Sequence, residues 1–334
     1  MNQSITPERD LKPDEASPKK NKDFQAGPSS TGRVQKPAQY LKIWWQAARP
    51  PFYITTLIPL GLGFTAALKY GGANRWGLFL LILFGCFVVH MATNLANDLF
   101  DHLQGVDAGP NIGGSRVIQE GKLSPKALAL ALAVLYSLGL ISALVIIRLS
   151  GQTILWAVIV FAALSSFFYV APPIRYGHRA LGELFVFINM GLIMTGGTFL
   201  AIAGFWDRRV LALALPVAFM VAGILYYQSL PEIETDLAAG KHTLANVLGK
   251  TRASFLFTLW WPLVWLLMIN LHLAGLAAWP VFLGLLSAPF HLAAVSKIKA
   301  AGQGDWLPLD RYGHLVRKLY FINGLILIIA VALN

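Results

Sequence analysis

Beyond residue 49 the chain is a succession of long apolar runs separated by short polar joins. Nine runs stand out: 52–69, 76–97, 125–147, 152–170, 180–205, 210–230, 253–272, 274–294 and 317–333. Each approaches the roughly 20 residues that a helix needs to cross a bilayer. None alternates with period two, as a membrane barrel strand does. Backbone groups in lipid must be paired within their own segment, so the pattern predicts helices. The expected fold is all-α, a multi-pass membrane protein with nine transmembrane helices. The shortest join lies between the seventh and eighth runs, at His272–Leu273.

The first 40 residues are a different material, rich in Pro, Ser, Lys and Asp and nearly free of large apolar side chains. Such a segment buries too little surface to offset its ordering entropy. We therefore expect 1–43 to be a disordered tail and 44–334 to be a single membrane domain. No apolar stretch follows the tail's charges, so it does not read as a signal peptide. Its acids (Glu8, Asp10, Asp14, Glu15 and Asp23) argue against an organelle transit peptide.

Composition agrees. The chain of 334 residues is 56% hydrophobic and 13% charged, with mean hydropathy +0.59. Soluble domains carry roughly 25% charged residues. This excludes a soluble globule and disorder of the whole chain. The one cysteine, Cys86, excludes an internal disulfide framework and a Cys-based zinc or iron–sulfur site. The net charge of +11 invites a nucleic-acid reading, but the placement of the cations speaks against it. With the tail in the cytoplasm, only Lys69, Arg75, Arg148, Arg208 and Arg209 of the 27 Lys and Arg fall on the far side. That asymmetry is the positive-inside pattern. It predicts a cytoplasmic N-terminus, an outside C-terminus, and residence in a bacterial-type cytoplasmic membrane. No nucleic-acid partner and no obligatory protein partner follow from it.

Acids near a bilayer are costly, so their positions carry information. Asp98, Asp101, Asp107 and Glu120 lie at the end of the second run and in the loop after it; Glu232, Glu234 and Asp236 lie at the end of the sixth. Both clusters fall on the cytoplasmic side. Asn94, Asp98 and Asp101 are spaced i, i+4, i+7 and share a helix face. Glu232 and Asp236 are spaced i, i+4. Carboxylates this close repel unless a cation sits between them. A hard divalent cation with oxygen ligands suits the pattern, and Mg²⁺ binds through one or two carboxylates plus substrate phosphates. Arg116 and Lys241, downstream of the clusters, suit phosphate oxygens. Solvated helix ends are the alternative for each cluster taken alone.

Four stretches resemble the UbiA superfamily of intramembrane prenyltransferases, nearest its 1,4-dihydroxy-2-naphthoate polyprenyltransferase branch in menaquinone biosynthesis. They are AARPPFYITTLIPLGLG, NLANDLFDHLQGVD with GSRVIQEGKLS, FFYVAPPIRYGHRALGELFVFINMGLIMTGGTFL, and PEIETDLAAGKHTLANVLG. The likeness covers about residues 44–333. It implies helices around a central cavity open to lipid, Mg²⁺, a polyprenyl diphosphate donor and an aromatic acceptor. It implies metal binding by Asn94, Asp98, Asp101, Glu232 and Asp236, with Asp98, Asp101, Asp236 and Tyr169 as catalytic residues. It gives Arg116 and Lys241 to the diphosphate, with Asn97 and Asp107 at further motif positions. The second motif usually begins with Asp and here begins with Glu232, whose longer arm shifts geometry without abolishing ligation. Gln228 and Ser229 stand where the branch often has Asn, which leaves 4-hydroxybenzoate, homogentisate, a tetrapyrrole or a glycerol phosphate lipid open as acceptors.

The chemistry so implied is ionisation of an allylic diphosphate and attack of the cation on an electron-rich ring. Tyr169, Tyr226 and Tyr227 are candidates for cation–π stabilisation, or anchors at the headgroup level. Arg49 is a substrate contact or a positive-inside anchor. Glu183 positions the acceptor, or sits at a helix N-terminus that favours an acid. His90 is a general base or a buried, hydrogen-bonded histidine. A transporter, the rival from another class, tends to place its site at the midplane on broken helices. Here the acids lie at helix ends.

Overall fold

The computed structural model of the chain describes residues 37–106, 114–310 and 313–334. Asp107 lies outside the described residues. Helix α1 (Pro37–Ala48) overlaps the last residues of the tail expected to be disordered over 1–43; the remainder of that tail is outside the described residues. The correction has a tertiary cause. Ile43 and Ala47 on one face of α1 are buried against Leu95, Val117 and Leu128, while Leu41 and Trp45 are exposed. A helix this short gains its stability from packing one face, not from composition.

Pro50 stops α1, because proline disfavours helical geometry in the residue before it. Arg49 takes a left-handed backbone (φ 54°), a turn over Pro50–Phe52 follows, and α2 (Ile54–Gly71) leaves at 50° to α1. Next come α3 (Trp76–Leu103), α4 (Pro125–Ser150) and α5 (Leu155–Phe168). Helix α4 starts where Ser124 Oγ accepts the Ala127 N–H at 3.2 Å, a side-chain cap followed by proline in the first turn. Helix α6 (Gly182–Ala203) contains a π-helical stretch over Phe187–Ile193. Helix α7 (Arg208–Ser229) is capped by Asp207. A short α8 (Ile233–Ala238) leads to α9 (Leu244–Leu273), which opens with a Thr243–Asn246 capping box and breaks at Gly249. Helices α10 (Trp279–Ala301) and α11 (His314–Leu333) complete the bundle.

Helices α3, α4, α6, α7, α9, α10 and α11 are long and apolar enough to cross a membrane, and α1 with α2 makes an eighth, bent span. The run expected over 152–170 is the exception. Its helix, α5, has 14 residues, about 21 Å at 1.5 Å per residue, against a hydrocarbon core of about 30 Å. The join between α9 and α10 falls at 274–278, so the eighth span begins at Trp279 rather than 274. The molecule is thus an all-helical multi-pass membrane protein.

Helix α7 is the most enclosed span and α4 the least; α4 presents Leu130, Leu140 and Ile141 outward, as a lipid-facing helix should. Helices α6 and α7 touch at Gly191, where an added Cβ would lie 2.2 Å from the Ala218 Cβ. Small residues at such crossings let backbones approach closely. On the side away from the acidic clusters, Arg75 donates to Leu149 O at 2.5 Å and Ala201 O at 3.4 Å. It thereby satisfies carbonyls at the C-terminal ends of α4 and α6.

Candidate active site

Three connections meet at one end of the bundle: the stretch after α3, the α5–α6 loop and the α7–α9 connection. Gln104 ties the first two together, donating to Val170 O at 3.0 Å and accepting from Arg175 at 2.8 Å. The second and third are joined by a parallel bridge between Arg179 and His242. There the Ala180 N–H donates to His242 O at 2.8 Å and the His242 N–H to His178 O at 3.2 Å. Gly177 makes this possible, since its N–H donates to Tyr169 O at 3.0 Å. An added Cβ there would lie 2.9 Å from that same oxygen.

The first acidic segment is held from outside its own helix. Asp98 is 2% exposed and pairs with the Arg49 guanidinium. It also accepts the Ser115 N–H at 3.0 Å and the Ser115 hydroxyl. Asn94 donates to Ala48 O at 3.1 Å. The end of α1 is thereby fixed to α3, and Gln46, which donates to Ser115 O at 2.7 Å, closes the ring. Arg116 follows Ser115 with a left-handed backbone and is half-buried.

The second acidic segment holds its own cation. The Lys241 N–H donates to Asp236 O at 2.8 Å, and Lys241 Nζ lies 3.3 Å from Asp236 Oδ1. Burial pushes the Asp236 carboxyl up and pushes Glu232 up to about 7, with Lys241 opposing both. Burial pulls Lys241 down, but Asp236, Asp101 and Glu232 together hold it above the ordinary lysine range. The same set of mutual interactions includes Tyr169. The end of α3 and the short α8 therefore share one electrostatic site.

The first segment also faces His178, whose Nε2 lies 3.3 Å from Asp101 Oδ1 but off the line of a hydrogen bond. Asn97 Oδ1, Asp101 Oδ1, both Asp236 carboxylate oxygens and Arg49 Nε are buried without a hydrogen bond among the described residues. Buried polar groups in folded proteins are nearly always paired. Apart from the Arg49 donor these are oxygen acceptors, and the carboxylates of Asp101 and Asp236 lie within electrostatic reach of Lys241. Their chemistry fits a hard cation shared with an oxyanion.

Among the described residues, no three His, Cys, Asp or Glu side chains converge closely enough to hold a metal ion. Like charges spread apart, and the Asp98 oxygens are taken by Arg49 and Ser115.

Below this polar end lies a cavity of about 440 Å³, lined by α2 to α7. Its walls are mostly apolar, and Arg49, Asn94, Asn97, Tyr169 and Gln228 stand at its polar end. From Asn97 down α3 to Ile82 it extends about 22 Å at 1.5 Å per residue. Its shape and lining suit an isoprenoid chain.

The UbiA prenyltransferase family profile matches residues 56–306. The chain belongs to the UbiA prenyltransferase family. This prenyltransferase is 28% identical to the 1,4-dihydroxy-2-naphthoate octaprenyltransferase of Bacillus subtilis over 76% of this chain and 81% of that one. It is 26% identical to the 2-carboxy-1,4-naphthoquinone phytyltransferase of Synechocystis over 86% and 92%. Its fold matches a UbiA homolog from Archaeoglobus fulgidus, solved bound to GPP and Mg²⁺, with a TM-score of 0.61 and 17% identity over 87% of this chain and all of that one.

Other expected site residues in the prenyltransferase fall differently. Tyr226 is fully buried, donates to Ala253 O at 3.0 Å and stacks on Trp260. Tyr227 packs on Phe257. Neither lines the cavity, so neither is a cation–π partner there; both lie inside the α7 packing. Tyr169 does line it. Glu183 is buried in the first turn of α6, within electrostatic reach of Lys241. His90 lines the cavity with Nδ1 2.7 Å from the Thr56 hydroxyl. The sequence pattern does not single out Ser115 or His178. Neither carries a motif spacing, and only the loop closure at Gly177 and the Ser115–Asp98 contact reveal them.

Proposed function

We propose that this prenyltransferase moves a polyprenyl group from a prenyl diphosphate to an aromatic quinone precursor, 1,4-dihydroxy-2-naphthoate, in a Mg²⁺-dependent reaction at the cytoplasmic face. The observation that carries the reading is the gathering of Asp101 and Asp236, whose buried oxygens lack hydrogen bonds, around Lys241 at the polar end of a long apolar cavity. The acceptor rests on the naphthoate-prenylating relatives.

Asn94, Asp98, Asp101, Glu232 and Asp236 would hold Mg²⁺ together with diphosphate oxygens. Bound there, the ion would supply positive charge to the departing diphosphate. Lys241 and Arg116 donate hydrogen bonds to the phosphate oxygens as the allylic C–O bond breaks and negative charge grows on them. Arg49 holds Asp98 until the diphosphate arrives, and its unpaired Nε faces the same end of the cavity. The apolar walls exclude water from the allylic cation, and the Tyr169 ring stabilises it. Glu183 positions the acceptor ring. The ring carbon then forms the new C–C bond and expels its previous substituent without the bonding pair.

The test is incubation of purified protein with geranylgeranyl diphosphate and longer donors, with each candidate ring, with and without Mg²⁺. A Mg²⁺-dependent prenylated naphthoate, lost in Asp101→Ala and Asp236→Ala, supports the reading. Prenylation of another ring corrects the acceptor. Neither product nor diphosphate release, from protein shown to be folded, overturns it.

A further inference from the structure

Next to the polar end of the cavity three hydroxyls stand in a row. Thr93 on α3 immediately precedes Asn94, Ser166 on α5 stands three residues before Tyr169, and Tyr136 reaches them from α4. All three line the cavity. The Thr93 hydroxyl lies 2.9 Å from Val89 O. Ser166 Oγ lies 2.6 Å from Thr93 Oγ1. Tyr136 Oη lies 3.3 Å from Ser166 Oγ.

Each hydroxyl has one hydrogen, and a carbonyl only accepts. The Thr93 hydrogen is therefore committed to Val89 O. Ser166 must donate to Thr93, and Tyr136 must donate to Ser166. This is the single direction that satisfies all three contacts. The chain's outer end is the Tyr136 phenolic oxygen, with lone pairs remaining and its hydrogen already used. At this point the cavity wall accepts hydrogen bonds and does not donate them. A quinone carbonyl, an ether or a carboxylate finds no partner at Tyr136, whereas a ring hydroxyl does.

We propose that Tyr136 binds a ring hydroxyl of the acceptor and selects a reduced, hydroquinone-type ring over its oxidised or etherified forms. Ser166 and Thr93 are positioning residues that fix the direction of the Tyr136 hydrogen. The proposal rests on the aromatic-acceptor reading above and sharpens it to a substrate class. Hydrogen bonds in a chain polarise one another. A hydroxyl held at its hydrogen leaves its ring richer in electrons, as attack on an allylic cation requires. The chain ends on a backbone carbonyl, so it orients the ring and carries no proton away.

The experiment uses the full chain in detergent. Calorimetry measures binding of 1,4-dihydroxy-2-naphthoate and of its dimethyl ether to the wild type, Tyr136→Phe and Ser166→Ala. Turnover with geranylgeranyl diphosphate runs alongside. One net hydrogen bond corresponds to about 3- to 10-fold in affinity. We expect the wild type to prefer the diol by at least that factor. Tyr136→Phe should lose this part of the preference, Ser166→Ala should lose it in part, and the KM for geranylgeranyl diphosphate should stay constant. A purely steric preference would persist in Tyr136→Phe. That outcome, or a wild type without preference, overturns the proposal. If the preference behaves as expected but no acceptor is prenylated, the hydroxyl site stands and the aromatic prenyl-transfer reading falls.

Discussion

The Lys241 N–H donates to the carbonyl of Asp236 at 2.8 Å, and the Lys241 ammonium lies 3.3 Å from the same residue's carboxylate. One turn of chain thus sets a half-buried cation beside a buried anion, with Asp236 1% exposed. Breaking such a pair leaves a buried charge uncompensated. Asp236→Asn and Lys241→Met should each lower kcat by about 100-fold or more, the scale of losing one transition-state charge contact. Asp236→Asn should also raise the Mg²⁺ concentration for half-maximal rate, and Lys241→Met should not. Single-turnover assays with Mg²⁺ titration separate the two.

Glu232 is pushed up to about 7, first by burial and then by Asp236, with Lys241 opposing. A raised carboxyl is protonated below that value, and a ligand must be deprotonated to bind a metal. Apparent Mg²⁺ affinity should therefore be full above about pH 8 and fall as pH drops through 7. Glu232→Gln should flatten that dependence while weakening binding at every pH. Rates at graded Mg²⁺ from pH 6 to 8.5 check both.

Arg49 partners Asp98 across 49 positions of sequence. Arg49→Gln leaves Asp98 with Ser115 alone. Removing one partner of a buried pair costs about 3 kcal/mol, so the melting temperature in detergent should fall. Ser115→Ala should fall less, because the Ser115 N–H contact survives.

At Gly177 a Cβ would press on the Tyr169 carbonyl and ring. Gly177→Ala should displace Tyr169 and reduce kcat about 10-fold or more, given how strongly rate depends on placement. At Gly191 a Cβ would overlap Ala218; Gly191→Ala should cost about 1–3 kcal/mol of stability by overpacking, read as a lower melting temperature.

The proposed orientation is open to labelling. Cys86 is the one cysteine, so Cys86→Ala gives a clean background. A cysteine replacing Ser4 should react with a membrane-impermeant reagent only after the cells are opened. One replacing Asn334 should react in intact cells, which requires the short α5 to complete a ninth crossing; protection of that cysteine would mean eight crossings and both termini on one side.

What was legible in the sequence was whatever depends on neighbours along the chain. Apolar length marked the spans, and α3, α4, α6, α7 and α11 lie where their runs predict. The i, i+4 spacing of Glu232 and Asp236, and the i, i+4, i+7 spacing of Asn94, Asp98 and Asp101, mark acidic segments at the ends of the second and sixth apolar runs. These are local properties, fixed by the helix period and by the cost of charge in lipid.

What only the tertiary structure decided was which groups meet. That Asp98 is taken by Arg49 and Ser115, and that His178 faces Asp101, follows from loops brought together over tens of residues. That Tyr226 and Tyr227 pack inside the bundle while Tyr136 faces the cavity depends on how each helix is rotated about its axis. A run that is apolar on every side does not encode that rotation. It is set by close contacts such as Gly191 against Ala218, and so is the direction of the hydroxyl chain that ends at Tyr136.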